Sequence, residues 1–272
     1  MRKAIRGKQP LLLAVTSACL LSGGAWANGV SAEPPEAEDS GFTVLSNATN
    51  VTHWGLGAAV GLEPSPYSGD STRVSPIPLI SLDNKWLHAF GTTVDLKVGR
   101  WSDVTFTLRG KFDVFGGYKG SDAPILNGME NRNGAFWYGP ALAWKSAFGT
   151  LSADYLLGGN KGQMADFEYR KSFELGHWSV EPHAGIDWLS SKYVNYYYGV
   201  RPSEVQPGRP EYTGKAAYNT SIGTQVNYNF TSHQMVSFDV GVSHLSSGIT
   251  DSPIVGRRYI PMFKVGYLYR FK

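Results

Sequence analysis

Tyr259-Ile260-Pro261-Met262-Phe263-Lys264-Val265-Gly266-Tyr267-Leu268-Tyr269-Arg270-Phe271 is the stretch on which the reading of the fold turns. Tyr259, Pro261, Phe263, Val265, Tyr267, Tyr269 and Phe271 occupy every second position, so in an extended strand they share one apolar, largely aromatic face. Ile260, Met262, Lys264, Gly266, Leu268 and Arg270 share the opposite face, which is mixed and bears the charges. Oil on one side and charge on the other fits the wall of a transmembrane β-barrel, with lipid outside and a polar interior.

The same rhythm runs back through the chain. Trp54, Leu56, Ala58, Val60 and Leu62 alternate with glycines and Ala59, and Val74 to Leu82 follows. Trp86 to Val98 reads as one strand, with Trp86, His88, Phe90, Thr92, Val94, Leu96 and Val98 on one face and Asp95 and Lys97 on the other. Asp103 to Phe115 sets Val104, Phe106, Leu108, Phe112 and Val114 against Thr105, Thr107, Arg109, Lys111 and Asp113. Further faces are Phe136 to Trp144, Leu151 to Leu157, Phe167 to Leu175, Trp178 to Trp188, Thr220 to Phe230 and Val236 to Val242. With the terminal segment these make eleven strands, and a closed single-chain barrel should have an even number. The expectation is an all-β, closed antiparallel transmembrane β-barrel of about twelve strands, ten being the other even count, with the uncounted strand before Asp103. Short connections at 147–149, near Gly176 and at 231–233 suit the periplasmic end, and long ones at 116–133, 190–213 and 247–258 the outer end. No segment shows a helical period that competes with the strands.

Arg2, Lys3, Arg6 and Lys8 precede the apolar run Leu11 to Leu21, and Ala25-Trp26-Ala27 supplies the small residues of a cleavage site, so residues 1–27 read as a secretory signal peptide. That run is too short to span a bilayer. Cys19, the single cysteine, sits in a poor lipobox. Residues 28–50 read as a periplasmic leader, with room for a short first strand from Phe42, and 51–272 as the outer-membrane barrel. The formal charge of +3 comes from 25 basic and 22 acidic residues; without the four cations of the signal it becomes 21 minus 22, or −1. No basic block survives to suggest nucleic acid. At 42% hydrophobic residues the chain is no oilier than a soluble protein, which half-apolar membrane strands explain.

The inward-facing set comprises Lys97, Arg109, Lys111, Lys145 and Arg170 with Asp95, Asp103, Asp113, Asp154, Asp166, Glu168, Glu174, Glu181, Asp187 and Asp239. Such groups either pair across the lumen and fill it or leave a narrow cation-preferring path. There is no phosphate loop, zinc spacing or nucleophile elbow, and no cofactor is expected. In Ser243-His244-Leu245-Ser246-Ser247, His244 and Ser246 continue one strand face, placing a base and a hydroxyl together as acyl transfer requires, with Asp251 the nearby acid. The element loosely resembles the His-x-Ser-Asn element of outer-membrane lipid A deacylases, with Ser247 in place of asparagine. Tyr196, Tyr197 and Tyr198 form a candidate outer-loop binding platform.

Lys264, Gly266, Tyr269 and Phe271 resemble the terminal signal recognised by the barrel-assembly machinery, departing from it in the trailing Lys272. The loops carry a further resemblance. Trp54 through Pro66-Tyr67-Ser68-Gly69 to Pro76-Ile77-Pro78 is similar to the opening of the MltA-interacting protein (MipA/OmpV) family. So are Gly117-Tyr118 with Ser121-Asp122-Ala123-Pro124 and Leu126-x-Gly128-Met129, Pro182-x-x-Gly185-x-x-Trp188-x-Ser190-x-x-Tyr193, Tyr196-Tyr197-Tyr198-Gly199-Val200, and Asp251-Ser252-Pro253-Ile254-Val255. The resemblance implies a noncatalytic outer-membrane barrel, surrounded by outer-membrane lipid, that brings a lytic transglycosylase together with a bifunctional penicillin-binding protein in peptidoglycan biogenesis. A solute- or ligand-selective channel is the alternative, and a lipid-modifying acyl hydrolase using His244 and Ser246 the second.

Overall fold

The computed structural model describes residues 42–44, 49–113 and 116–271. The expected signal peptide, most of the leader, Val114, Phe115 and Lys272 lie outside the described residues. Twelve antiparallel strands form a closed barrel: β1 (His53–Pro64), β2 (Thr72–Asp83), β3 (Leu87–Phe90), β4 (Thr93–Trp101), β5 (Val104–Phe112), β6 (Phe136–Ser146), β7 (Gly149–Leu157), β8 (Gln163–Arg170), β9 (Trp178–Leu189), β10 (Ala217–Asn229), β11 (Gln234–His244) and β12 (Tyr259–Arg270). Each strand pairs with the next in sequence, and β12 returns to β1 in a register running from Phe263 against Leu62 to Arg270 against Gly55. Closure is what lets the wall cross hydrocarbon, where an unpaired backbone group costs several kcal/mol. The closing seam is tight: a Cβ on Gly57 would stand 2.0 Å from the Tyr267 carbonyl oxygen, so only glycine fits. Two short pieces attach to the barrel, Thr43–Val44 against β4 and Phe173–Leu175 against β9.

The alternation expected from the sequence is realised as lipid-facing and lumen-facing sets. Val240, Ile222 and Leu108 are more than half exposed on the outside, while Ser237, Glu181, Asp166 and Asp154 are buried within. Aromatic rings gather at both rims. Trp54 stacks on Phe271 at 4.1 Å and Trp178 meets Tyr228 at 4.5 Å at the turn end; Tyr155 and Trp188 stack at 6.3 Å at the loop end. These are the girdles in which amphipathic rings sit at headgroup level.

Two expectations are corrected. The strand read from Trp86 to Val98 is a hairpin, β3 and β4, broken at Gly91, whose φ of +59° only glycine adopts without strain. That hairpin supplies the twelfth strand and reverses the face of its first half: Phe90 points inward and is 2% exposed, whereas Val94 faces lipid. The second correction is helical. Ser191–Tyr198 forms α1, capped by Ser190, whose Oγ accepts from the Tyr193 amide at 3.2 Å, and Ser247–Thr250 forms the short α2. Neither is long and apolar enough to cross a membrane.

Candidate functional site: the loop cap and the lumen

The turn end is closed by tight connections, but the loop end carries segments 65–71, 113–135, 190–216 and 245–258. These fold onto one another as a cap over the barrel. Its centre is apolar: Leu126, Val194, Ile249 and Ile254 are fully buried, beside Trp137 and Leu156 at the top of the wall. Helix α1 contributes Tyr193, Val194, Tyr197 and Tyr198, spaced to share one helical face. Tyr67 crosses from the first loop and donates its hydroxyl to the Tyr197 carbonyl at 3.1 Å; Ser252 from the last loop donates to the Tyr198 carbonyl at 2.6 Å.

Charge reinforces this packing. Arg132 donates from Nη2 to both Glu204 carboxylate oxygens, at 2.8 and 3.0 Å, and from Nε to the Tyr196 carbonyl at 2.8 Å. Arg209, 1% exposed, donates to the carbonyls of Glu204, at 3.0 Å from Nε, and of Asn127, at 2.9 Å from Nη1. Each guanidinium thus fastens two loops, since its planar donors can reach several acceptors at once. Burial opposes ionisation of Glu204. The amides of Arg201 and Glu130 and the guanidinium of Arg132 outweigh it, holding the carboxyl below the usual range. Burial, followed by the neighbouring tyrosines, pushes the hydroxyls of Tyr67 and Tyr193 well up.

Below the cap the lumen is filled by its own side chains. Arg109 bridges two walls, donating from Nε and Nη2 to Asp95 and from Nη1 to Asp154, all at 2.8 Å. Arg170 holds Glu168 at 3.0 Å and Gln225 at 3.2 Å; Asn227 donates to Ser179 at 3.1 Å and Glu181 at 3.2 Å. His183 contacts Asp239 at 3.1 Å. Asp154, Asp166 and Asp187 stand abreast on β7, β8 and β9, each with one carboxylate oxygen that has no hydrogen-bond partner. Among the described residues, no group of three acidic, histidine or cysteine side chains is placed to hold a metal. Asp103, Lys145 and Glu174, expected inside, are exposed at the turn end, and Asp113 belongs to the cap side.

The candidate residues from sequence are scattered. His244 ends β11 with its ring 5.0 Å from Tyr259; Ser246 precedes α2, its Oγ accepting from the Tyr218 amide at 3.1 Å. No hydrogen bond joins the two, and Asp251 is exposed at the C-terminal end of α2. The helix turns Tyr197 and Tyr198 into the cap, leaving Tyr196 half-buried, so the three do not form one displayed surface. Tyr269 and Phe271 face outward at the turn-end rim, while Lys264 lies inside, 3.8 Å from Asp239. Arg132, Glu204 and Arg209 escaped the sequence reading because loop residues held by carbonyls follow no period.

A family model described as "MltA-interacting protein MipA" matches residues 56–271. The "MltA-interacting protein" of Escherichia coli (strain K12) is 26% identical over 242 residues, covering 84% of this chain and 96% of that protein. The "Putative outer membrane protein YiaT" of the same organism is 24% identical over 236 residues, covering 84% and 94%. The "Outer membrane protein OmpV" of Vibrio cholerae is 28% identical over 141 residues, covering 51% and 55%.

Proposed function

The chain belongs to the MltA-interacting protein MipA family and is an outer-membrane β-barrel; on that premise we propose that it is a noncatalytic scaffold holding a lytic transglycosylase near a bifunctional penicillin-binding protein at the periplasmic face. The name of the similar Escherichia coli protein supports the first partner. The observation that carries the choice of scaffold over channel is the filled interior: Glu181 is 1% and Asn227 2% exposed although both face the lumen. A water-wide pore would leave its lining groups solvated. The signal directs export and is cleaved after Ala27, and the barrel-assembly machinery reads the segment ending in Tyr269 and Phe271.

The purified barrel should retain a murein hydrolase and a murein synthase from periplasmic and membrane extracts, and should give no conductance above background in a planar bilayer. Recovery of neither enzyme would overturn the scaffold. Steady conductance would favour the channel. Unchanged lipid A in cells overproducing the protein is the outcome expected of a noncatalytic barrel, and deacylated lipid A that depends on His244 and Ser246 would reverse it.

A further inference from the structure

Strands β10, β11 and β12 carry a patch on their lipid side whose chemistry changes at one level of the wall. Register sets Thr220 beside His244 and His244 beside Tyr259. Two residues nearer the turn end on each strand come Ile222, Val242 and Pro261, and two further on Val240 and Phe263 with Thr224. Side chains alternate across a sheet, so all of these share the outer face. Tyr259 is 62% and Ile222 63% exposed, which leaves both rows open to whatever surrounds the barrel. The upper row offers hydroxyl and imidazole groups, and the rows beneath it offer almost only hydrocarbon.

The rim above continues the polar half. Tyr218, 61% exposed, donates its amide to the Ser246 Oγ at 3.1 Å, so the two lie side by side. The Leu245 amide donates to the Arg258 carbonyl at 2.8 Å, which carries the pairing of β11 with β12 past the strand ends and holds Arg257 and Arg258 at the rim. Both arginines are exposed. Neither side chain makes a hydrogen bond or ion pair among the described residues. The remaining described arginines are all engaged. Arg73 holds Asp70, Arg100 the Ser102 carbonyl, Arg109 Asp95 and Arg132 Glu204. Arg170 holds Glu168, Arg201 Glu130, Arg209 loop carbonyls and Arg270 the Met235 sulfur. A guanidinium matches phosphate with paired donors, and the two left unspent on this rim await an anion that the chain does not supply.

We propose that this patch binds a phosphorylated, multiply acylated lipid of the outer leaflet. Arg257 and Arg258 hold its phosphate, the rim hydroxyls and His244 hydrogen-bond its headgroup, and its acyl chains lie down Ile222, Val242, Val240 and Phe263. The loop end of such a barrel faces out of the cell, which selects the outer leaflet as the source. Cations beside a membrane-facing apolar surface recognise anionic headgroups through charge. A soluble anion would satisfy the arginines but leave the apolar rows without a role. His244 and Ser246 are then headgroup contacts, and no acyl transfer is required of them.

The test is native mass spectrometry of the full mature chain in detergent micelles, titrated separately with diphosphoryl lipid A, monophosphoryl lipid A, phosphatidylglycerol and inorganic phosphate. Diphosphoryl lipid A should be retained most tightly. The double substitution Arg257→Gln with Arg258→Gln should weaken its binding on the order of thirtyfold, given what a basic residue contributes beside an anionic lipid surface. Lys145→Gln, at the turn end, should leave binding unchanged. Should the double variant fail to fold, the ranking of the four probes on the wild-type chain decides. Unaltered binding by the folded double variant, equal retention of phosphatidylglycerol, or displacement of bound lipid A by an equal concentration of inorganic phosphate would each overturn the site.

Discussion

The barrel wall and the cap are built by different means. In the wall, backbone ladders carry the structure, and each side chain has only to choose lipid or lumen. In the cap, segments with little regular structure are held by apolar packing and by arginines whose donors end on carbonyls of other loops. Substitution should therefore be absorbed locally in the wall and propagate between loops in the cap.

The largest expected break is in the cap. Arg132→Met leaves the Glu204 carboxylate buried without its cation, at a cost of about 3–5 kcal/mol. Limited proteolysis should then cut within 113–135 and 190–216, while the barrel keeps its resistance to heat in detergent. If the barrel melts together with the cap, the two regions are one cooperative unit and the contrast fails. Next in size is Val240→Arg on the lipid face of β11, expected to cost about 2–4 kcal/mol in urea unfolding from vesicles. Cap proteolysis should not change.

Asp166→Asn is a smaller perturbation with the opposite sign. It replaces one of three neighbouring carboxylates by a neutral group of the same shape, so the unfolding midpoint should rise. A fall would mean that the row is needed in its charged form. The smallest effect is that of pH on the cap. Because Glu204 is held below its ordinary value, its contribution is complete above the glutamate range near pH 4.3 and is lost as pH falls through the lower folded value. Tyr67 and Tyr193, pushed up by burial, contribute fully below about pH 10 and progressively less above it. The protection of the Val194 and Ile249 amides, taken relative to the intrinsic exchange rate at each pH, should fall at both extremes and hold steady between them, while protection in β9 and β10 shows no such dependence.

The contrast also explains which parts could be read in advance. The wall was legible because a period of two survives any change of neighbour. It failed at Trp86–Val98, where Leu87 and Ala89 on one face and Phe90 on the other are all apolar, so the parity that marks a turn was ambiguous; Gly91 was the remaining signal. In the cap, Tyr193, Val194, Tyr197 and Tyr198 after Ser190 carried a helical spacing that a reading tuned to alternation passed over. Arg209 could not have been found that way, since its acceptors near residues 125–127 are some eighty positions distant and are backbone atoms, which no side-chain pattern encodes.

The pairing of the first strand with the last sets an order on biogenesis. A polypeptide delivered from its amino end holds an incomplete sheet, with the Gly55–Gly61 edge waiting until the final dozen residues arrive. Truncating the carboxyl end therefore removes the latch of the whole cylinder, and the assembly intermediate most open to capture is the one in which everything but that latch has formed.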